Sequence, residues 1–487
     1  MPHHRKGKDE TRVQSRNQRK DRSREIRSVS PAREGERRPS VKLSVIGTGY
    51  VGLVSGVCFA SKGHDVVCVD VSEEKVSLIN RKIPPIHEEG LPELLRTVID
   101  ERKFRATSNL NEALDFCEAV IVAVGTPTTD GKLDLTYLVQ AIRQIGAYLK
   151  STNKFLSVII KSTVLPTTTD TVVREAITEA SGRKVSQFGL GMNPEFLREG
   201  KAISDFNFPD RIVLGFDDSQ TREVLSKIYE PWNVDKVYVN TRTAEMIKYA
   251  NNCLLALQVS AANELANLAA KLGGIDFMDV FRGVTLDKRW NPIGSDGSRT
   301  DPEILTYLVP GPGFGGSCFP KDVQAIRTQG QNNGLPMEIL EGVLSVNAKQ
   351  PEQVTKILGA HFGNLESKNI LLLGLAFKPE TDDVRESASI RISEELLAQK
   401  TNLVAHDPIA TENFIKFSGV QTSAIRFTKN WRAEIANADA IVVATRWAEY
   451  KALPGLKVAG KVVFDTRRLL SPKDFPSSTY FSIGRRV

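Results

Sequence analysis

A cysteine stands in an open, polar turn in the stretch GPGFGGSCFPKD at 311–322. Four glycines precede Cys318, and Lys321 and Asp322 follow it within four residues. A cysteine that serves only as packing is usually a small buried apolar side chain. The setting of Cys318 therefore indicates a thiol presented for chemistry.

The other four cysteines have the usual apolar surroundings. Residues 58, 68, 117 and 253 lie in apolar segments, are widely spaced, and form no CxxC pair with each other or with Cys318. This pattern argues against a disulfide framework and against a zinc site. It favours a reducing compartment, so a cytoplasmic protein without a metal is expected.

A glycine-rich turn near the start of the chain has the spacing of a dinucleotide site. GTGYVG at 47–52 follows the apolar run VKLSVI, opens a helical segment, and is followed by a second apolar run that ends at Asp70. Gly47 allows the tight turn, Gly49 lets the backbone approach a pyrophosphate, and Gly52 allows close helix–strand packing. Asp70 suits a ribose diol and would repel a 2′-phosphate, so NAD is expected rather than NADP.

Polar residues at two strand ends and on one helix face are also candidates for a functional site. GTPT at 125–128 and KSTV at 161–164 follow buried strands, whose carboxyl ends line the ligand crevice of an open α/β sheet. Lys248 and Asn252 share one face of a helix at i,i+4 spacing. An ordinary solvated stripe has the same spacing, so this pair alone decides nothing.

The segments that must position these residues alternate between strands and helices. Buried parallel strands are predicted at 41–47, 65–70, 119–125, 155–163, 369–374, 401–407, 439–445 and 461–466. A helix of about thirty residues is predicted from Thr243 to the glycines at 273 and 274. The expected fold is α/β, with two Rossmann-like doubly wound domains joined by this long central helix. The predicted ranges are a tail at 1–40, an NAD-binding domain at 41–235, a helical dimerisation segment at 236–350, and a second Rossmann-like domain at 351–487.

The positive net charge belongs to the N-terminal tail. Residues 1–40 contain thirteen of the 65 basic and six of the 58 acidic residues, which leaves 52 of each in 41–487. The tail has too few apolar residues to build a core, and disorder is expected there. The Arg/Lys run of the tail could contact nucleic acid or an anionic surface, but a solvated extension is the favoured interpretation, so nucleic acid is not an expected partner. A secretory signal or a membrane-spanning segment is not predicted.

These motifs together resemble the UDP-glucose/GDP-mannose dehydrogenase family. The resemblance runs in order through GTGYVG, VGTPT, KSTV, NPEFLREG, AEMIKYANN, GFGGSCFPKD, LAFKPETDDVRES and FDTRR. It implies an N-terminal NAD domain, a homodimer built through the central helix, and a C-terminal domain that binds a sugar nucleotide. It also implies oxidation of the C6 alcohol of a nucleotide-diphospho-hexose to a carboxylate with two NAD⁺ and no released aldehyde.

The resemblance assigns roles to individual residues. Cys318 is the expected nucleophile, and the thiohemiacetal that it forms is oxidised to a thioester that water hydrolyses. Lys248 and Asn252 are expected to stabilise oxyanion character at the reacting carbon. Asp322 would orient or activate a water or a lysine, Glu195 would be the general base of hydrolysis, and Thr163 would hold the water. Lys248 is also expected to lower the thiol pKa.

Further residues are expected at the two ligands. The expected cofactor contacts are Gly47, Gly49, Val51, Gly52, Asp70, Lys75, Thr126, Ser162, Glu199 and Arg385. The expected substrate contacts are Phe196, Leu197, Lys248, Asn252, Phe314, Gly315, Lys378 and Arg467. Lys75 serves the adenosine side or is simply solvated.

One segment departs from the family pattern. Members commonly carry an S-R-I-G stretch before the glycine turn, and its arginine reaches across the dimer to the sugar. Residues 287–311 lack it, and the choice between Arg289 and Arg299 as a substitute stays open. UDP-glucose is the expected substrate, with dTDP-glucose, GDP-mannose or a UDP-N-acetylhexosamine as alternatives. A single-oxidation dehydrogenase of the 6-phosphogluconate type, or a non-catalytic binding protein on the same scaffold, would need neither Cys318 nor two hydride transfers.

Overall fold

The computed structural model describes residues 40–129 and 131–485. These residues form two sheets and a two-stranded hairpin. The strands are β1 (Lys42–Ile46), β2 (Asp65–Val69), β3 (Phe104–Thr107), β4 (Ala119–Val122), β5 (Thr128–Thr129), β6 (Lys132–Leu133), β7 (Ser157–Ile160), β8 (Gly189–Met192), β9 (Ile212–Phe216), β10 (Lys236–Val239), β11 (Asn369–Leu373), β12 (Asn402–His406), β13 (Ile425–Phe427), β14 (Ala440–Val443), β15 (Val462–Asp465) and β16 (Thr479–Ser482).

Helices cover the sheets and link them. The α-helices are α1 (Tyr50–Ser61), α2 (Glu73–Asn80), α3 (Leu91–Asp100), α4 (Leu110–Phe116), α5 (Thr136–Lys150), α6 (Arg174–Ser181), α7 (Ala202–Asn207), α8 (Ser219–Ile228), α9 (Thr241–Leu272), α10 (Phe277–Thr285), α11 (Phe319–Asn332), α12 (Glu338–Lys349), α13 (Glu352–Phe362), α14 (Ala388–Ala398), α15 (Thr411–Phe417) and α16 (Trp431–Glu434). A 3₁₀ segment at Glu303–Leu308 precedes the cysteine turn.

The first sheet has the strand order β10-β9-β8-β7-β4-β1-β2-β3. The four strands predicted in this half are present as β1, β2, β4 and β7, all parallel. The sheet is mixed at one edge, because β9 pairs with β8 in the antiparallel sense and β10 then runs parallel to β9. Its last strand, β10, lies just beyond the predicted boundary at 235.

The second sheet is entirely parallel, in the order β13-β12-β11-β14-β15-β16. The four strands predicted in this half are present as β11, β12, β14 and β15. The order 3-2-1-4-5 around β11 repeats the order around β1, which makes both halves doubly wound. The predicted fold class, two Rossmann-like sheets joined by a long central helix, is confirmed.

The long helix α9 starts two residues before the predicted position and ends at the predicted glycine. Asn240 caps its N-terminus by accepting a hydrogen bond from Thr243 N, and Gly273 follows its last turn. It packs on β9 and β8 of the first sheet and on α11 and α12. Within the described residues it is the one helix long and apolar enough to cross a bilayer, but its buried Glu245 and Lys248 pair with groups of the first domain.

Apolar side chains from both faces of each sheet form the cores. In the first half, one cluster lies between the sheet and α1, and another lies between the sheet and α5. The second half repeats this arrangement around β11 and β14. A smaller cluster lies under the cysteine turn, where Tyr249 and Cys253 of α9 meet Val323 and Ile326 of α11. The turn therefore rests on a packed support.

Candidate active site

The cysteine turn is held between the second Rossmann-like half and α11. Cys318 is the N-cap residue of α11, so its thiol lies at the positive end of that helix. Gly316 has φ +83°, and an added Cβ there would lie 2.7 Å from the Phe377 ring. At Gly315 a Cβ would lie 2.1 Å from the Glu386 carbonyl oxygen. Only glycine fits these two positions, which explains the glycine-rich sequence before the thiol.

Cys318 opens into a cavity of about 650 Å³ between the two halves. A volume of this size suits a small-molecule ligand. The lining brings together distant parts of the chain, since it includes the loop after β8, α9, the segment Glu303–Leu308, the cysteine turn, and the loop after β11. Among the expected site residues it includes Glu195, Phe196, Leu197, Glu199, Lys248, Asn252, Gly315, Cys318 and Lys378.

A buried ion pair lies in this cavity. Lys248 Nζ donates to Glu195 Oε1 at 2.9 Å, and both side chains are almost fully buried. Leu197 N donates to the other carboxylate oxygen at 2.7 Å. Burial would raise the pKa of Glu195, but the Lys248 charge and hydrogen bond hold it below its usual range. Glu195 is therefore ionised and paired at neutral pH, which makes it a weak base until Lys248 moves.

A second hydrogen-bonded group lies beside the thiol. Asn252 Nδ2 donates to Asp322 Oδ2 at 2.7 Å, and Lys321 Nζ donates to Asp322 Oδ1. Asp322 has no exposed surface. The carboxylate orients the Asn252 amide, so that α9 and α11 are joined next to Cys318.

The thiol pKa differs from the expectation. Burial raises the pKa of Cys318, the Lys248 charge lowers it, and Glu195 and Asp322 raise it again. The net direction is upward because burial outweighs the Lys248 charge. Lys248 does act in the predicted direction, but its charge is already neutralised by Glu195. A Lys248 ammonium released from that pair would favour ionisation of the thiol further.

The glycine-rich turn has the geometry that a dinucleotide requires. Gly47 has φ +95°, and an added Cβ would lie 2.7 Å from the Ala123 carbonyl oxygen. A Cβ on Gly52 would lie 1.9 Å from the Gly47 carbonyl oxygen, whereas one on Gly49 would meet no atom within 4 Å. Gly49 is thus the open position at the N-terminus of α1, where an anion would bind.

Asp70 shapes the same turn. It accepts hydrogen bonds from Thr48 N at 2.9 Å and Thr48 Oγ1 at 2.6 Å, and from Ser72 N at 3.0 Å. Lys75 Nζ lies 4.0 Å away and is half exposed. Burial would raise the pKa of Asp70, but these hydrogen bonds lower it. The carboxylate is ionised next to the turn, which fits a ribose diol and disfavours a phosphate.

The polar residues after β4 and β7 meet at one edge of the sheet. Thr126 Oγ1 donates to the Thr163 carbonyl oxygen at 2.7 Å, and Ser162 Oγ donates to the Val124 carbonyl oxygen at 2.7 Å. The loops that carry GTPT and KSTV are therefore linked, as the strand order requires. Thr163 does not line the cavity with Cys318, so a role in holding water there stays a prediction.

Glu199 joins the first half to the second. Its Oε1 accepts from Arg385 at 3.1 Å and from Ser317 Oγ at 3.2 Å, while Oε2 is buried without a donor beside Asp383. Burial and the Asp383 charge raise the pKa of Glu199 to about 7. A carboxyl group with its pKa raised this far can share a proton with Asp383, and the cofactor roles of Glu199 and Arg385 stay predictions.

The expected cations of the second half lie around the turn. Lys378 Nζ donates to the Glu199 carbonyl oxygen and lines the cavity. Arg467 donates to the Ala444 carbonyl oxygen at 2.8 Å, and burial lowers its pKa to about 10. A Cβ added to Gly311 would lie 3.7 Å from an Arg467 nitrogen, which places this arginine beside the turn. A guanidinium this buried needs an anion, and a diphosphate would supply one.

The remaining expected contacts lie outside the cavity. Phe314 is anchored by Asn347, which accepts from Phe314 N at 2.8 Å, and the ring does not line the cavity. Arg289 pairs with Asp287 on the surface, and Arg299 donates to the Asn291 carbonyl oxygen at 2.9 Å. Neither arginine reaches the cavity of its own chain.

Several cavity residues were not predicted, and two of them are charged and fixed by neighbouring groups, Lys161 and Arg211. Lys161 lines the cavity as the first residue after β7, and its Nζ donates to Asn193 Oδ1 at 2.8 Å. Arg211 stacks 3.8 Å from the centre of the Phe196 ring and fixes the loop after β8. The position of Lys161 at a strand end, as the first residue of KSTV, was a usable signal. Arg211 carried no such signal.

Comparison with known proteins agrees with this architecture. Models of the UDP-glucose/GDP-mannose dehydrogenase family match as NAD binding domain at 41–233, central domain at 242–349 and UDP binding domain at 371–472. The UDP-glucose 6-dehydrogenase AglM of Haloferax volcanii is 40% identical over 443 residues, 89% of this chain and 98% of the relative. The UDP-glucose 6-dehydrogenase of Rhizobium meliloti is 39% identical over 85% of this chain and 91% of its own length.

A solved structure extends the likeness to three dimensions. The UDP-glucose dehydrogenase from the archaeon Pyrobaculum islandicum superposes with a TM-score of 0.84 at 37% identity, covering 94% of this chain and 100% of that one. The matches span both Rossmann-like halves and the central helix, and they include the cysteine turn. The chain belongs to the UDP-glucose/GDP-mannose dehydrogenase family.

Proposed function

We propose that the protein oxidises UDP-glucose to UDP-glucuronate, with two NAD⁺ reduced for each sugar nucleotide. The observation that carries the proposal is the cavity that joins Cys318 to the Lys248–Glu195 pair and to the Asn252–Asp322 pair. Oxidation of the alcohol to the aldehyde needs no thiol. Oxidation of the aldehyde is helped by a thiol, because the thiohemiacetal that it forms is a better hydride donor than the aldehyde. The likeness to UDP-glucose dehydrogenases supports the choice of substrate.

NAD⁺, when bound, accepts the hydride in each oxidation. Its proposed contacts are the turn Gly47–Gly52, Asp70 and Lys75 at the adenosine side, with Thr126, Ser162, Glu199 and Arg385 nearer the cavity. The proposed contacts of the sugar nucleotide are Phe196, Leu197, Phe314, Gly315, Lys378 and Arg467. The diphosphate would neutralise Arg467, whose charge is buried without a carboxylate hydrogen-bond partner among the described residues.

The cavity residues would manage protons and charge in sequence. The Lys248 ammonium leaves Glu195 and turns to the C6 oxygen, where it and the Asn252 amide stabilise negative charge. Loss of the hydroxyl proton to water and of a hydride from C6 would give the aldehyde. The Cys318 thiol would lose its proton to water, and the thiolate would add to the aldehyde carbon. Loss of a second hydride from that adduct would leave a thioester. A water oxygen then attacks the thioester carbon and gives a proton to Glu195. The C–S bond breaks, and the acid and the thiolate separate.

Product stoichiometry tests the proposal. Purified protein with limiting UDP-glucose and excess NAD⁺ should yield two NADH and one UDP-glucuronate, measured by absorbance and mass spectrometry. The same assay with dTDP-glucose, GDP-mannose and a UDP-N-acetylhexosamine should give lower kcat/KM values. One NADH per sugar, or preference for another nucleotide sugar, would contradict the proposal.

We propose the division into an NAD-binding domain at 41–235, a helical segment at 236–350 and a sugar-nucleotide domain at 351–487. Each sheet lies within one of the two outer ranges apart from β10. We also propose a cytoplasmic location, which is supported by five free cysteines, all within the described residues. The tail at 1–40 lies outside the described residues except for Ser40.

A homodimer through the central helix is also proposed. One face of α9 exposes Leu254, Leu265, Leu268 and Leu272, each more than half accessible. Their spacing of 11, 3 and 4 residues places them on one side of the helix. A large exposed apolar stripe of this kind marks an association surface, and a second copy is its simplest partner.

Light scattering after size exclusion should therefore give twice the chain mass. The double variant Leu265→Lys, Leu268→Lys should shift the protein towards the monomer, because it places charges in the apolar interface. Phe417→Lys, which changes an exposed aromatic residue of α15 instead, should keep the dimer. A wild-type monomer, or a double variant with unchanged mass, would contradict the proposed interface.

A further inference from the structure

The cavity contains a second buried ammonium group, that of Lys161. This residue follows β7, and its backbone N donates to the Val122 carbonyl oxygen at 2.8 Å. The residue is only 3% exposed. A lysine in such a place requires a partner or a function, because burying an uncompensated charge is strongly unfavourable.

The position of the ammonium is fixed by one asparagine. Asn193 Oδ1 accepts from Lys161 Nζ at 2.8 Å and also from the Tyr229 hydroxyl. Asn193 Nδ2 donates to the Val213 carbonyl oxygen at 2.9 Å, which settles the orientation of the amide. Asn193 lies two residues before Glu195 in the same loop. Lys161 is thus tied to the segment that carries the carboxylate.

The hydrogen bond to Asn193 occupies one of the three N–H groups of Lys161. The Phe206 ring lies 5.6 Å from Nζ and adds a weak attraction. Within the described residues no further acceptor is bonded to the ammonium. Its remaining interactions are through charge, with Glu195 attracting it and Lys248 repelling it.

One carboxylate therefore lies in the field of two cations. Lys248 forms the direct contact with Glu195. The Lys161 charge also attracts the Glu195 carboxylate and lowers its pKa. In the proposed function Lys248 turns from Glu195 to the substrate oxygen, which weakens its hold on the carboxylate. A buried carboxylate left without any cation would take up a proton before it could act as a base.

We propose that Lys161 is a positioning residue that keeps Glu195 ionised while Lys248 is turned to the substrate. It does so as a fixed counter-ion, without a covalent step and without touching the sugar. The proton that Glu195 accepts during hydrolysis comes from water, and Lys161 stays charged throughout. This inference rests on the proposed function and adds the group that lets Lys248 change partners.

The titration of Lys161 makes the idea testable. Burial lowers its pKa to about 8, and Glu195 opposes this shift while Lys248 adds to it. The titratable groups that face it are Glu195 from the loop after β8, Lys248 from α9, Cys58 from α1 and Tyr229 after α8. Below pH 8 the ammonium is charged and functional. Above pH 8 the ammonium of the free protein becomes neutral, so kcat/KM should fall.

The experiment compares kcat and KM for UDP-glucose from pH 6 to pH 10 in wild type, Lys161→Met and Lys161→Arg. Lys161→Met should lower kcat about tenfold to a hundredfold with KM within about threefold, and the fall above pH 8 should disappear. Lys161→Arg keeps a permanent charge, so its kcat should stay within about fivefold of the wild-type value. The pH above which its activity falls should rise by more than one unit. Ionisation of Cys318 gives a limb that rises with pH, so the two directions are distinct.

Lys154→Met is the control, because it removes a lysine ammonium from the opposite end of the same strand. The Lys154 ammonium is partly buried and donates only to backbone carbonyl oxygens. It should leave kcat and the pH profile unchanged. The inference would be overturned if the activity of Lys161→Arg still fell near pH 8. It would also be overturned if Lys161→Met changed KM but not kcat. Should Lys161→Met fail to fold, the Lys161→Arg profile still decides. Wild-type protein inactive on UDP-glucose would instead refute the proposed function.

Discussion

Cys318→Ser is expected to abolish formation of the acid, with a loss of about a thousandfold or more. The first hydride transfer does not need the thiol, so at most one NADH per sugar should form in a single-turnover experiment. A carbonyl trap should then capture the aldehyde. The reason is that a serine hydroxyl, with its far higher pKa, cannot supply the covalent adduct that makes the aldehyde a hydride donor.

Cys253→Ala is the control for this variant. Cys253 is buried in the cluster under the cysteine turn and belongs to α9, but it does not line the cavity. Its replacement should leave the stoichiometry at two NADH per sugar. Two NADH from Cys318→Ser, or normal UDP-glucuronate formation, would refute the thiol mechanism.

Gly52→Ala is expected to impair both folding and cofactor binding. The new Cβ would lie 1.9 Å from the Gly47 carbonyl oxygen, 3.0 Å from its carbon and 3.3 Å from the Ala123 Cβ. The first two contacts are backbone atoms, so α1 must move away from the turn. Such overpacking costs about 1–3 kcal/mol of folding stability. NAD⁺ binding by calorimetry should become undetectable, and the unfolding temperature should fall.

Gly49→Ala separates the two effects. Gly49 has φ −69° and ψ −172°, which alanine adopts without strain, and no atom lies within 4 Å of the new Cβ. Stability should change by less than about 0.5 kcal/mol. NAD⁺ affinity should fall at least about tenfold, because the methyl group would stand where the pyrophosphate approaches. Wild-type NAD⁺ affinity in Gly49→Ala would show that the dinucleotide binds elsewhere.

The setting of the thiol has a consequence for how the reaction is ordered. Cys318 is held as a thiol because burial raises its pKa, and the charges of Glu195 and Asp322 oppose the lowering effect of Lys248. Release of Lys248 would both expose a cation to the substrate oxygen and favour the thiolate. One rearrangement thus activates the nucleophile and the oxyanion site together, which protects the free enzyme from reactions of an exposed thiolate.

Local sequence was sufficient wherever a short segment determines its own structure. GTGYVG followed by Asp70, the apolar strand runs and the proline-free helix to Gly273 predicted the first nucleotide turn, eight strands and α9. The glycines before Cys318 predicted an open turn. The reason is that turn geometry, strand burial and helix continuity depend on neighbours within about thirty residues.

The tertiary structure alone decided which charges meet and what their balance is. The reversal of β9 and β10 depends on strand pairing and not on local pattern. The Lys248–Glu195 contact joins residues 53 positions apart, and burial outweighs the Lys248 charge and raises the pKa of Cys318. Lys161 became significant only because the fold buries it beside that pair. Electrostatics in a buried cavity depends on three-dimensional distances and on lost solvent, and neither can be read from the order of residues along the chain.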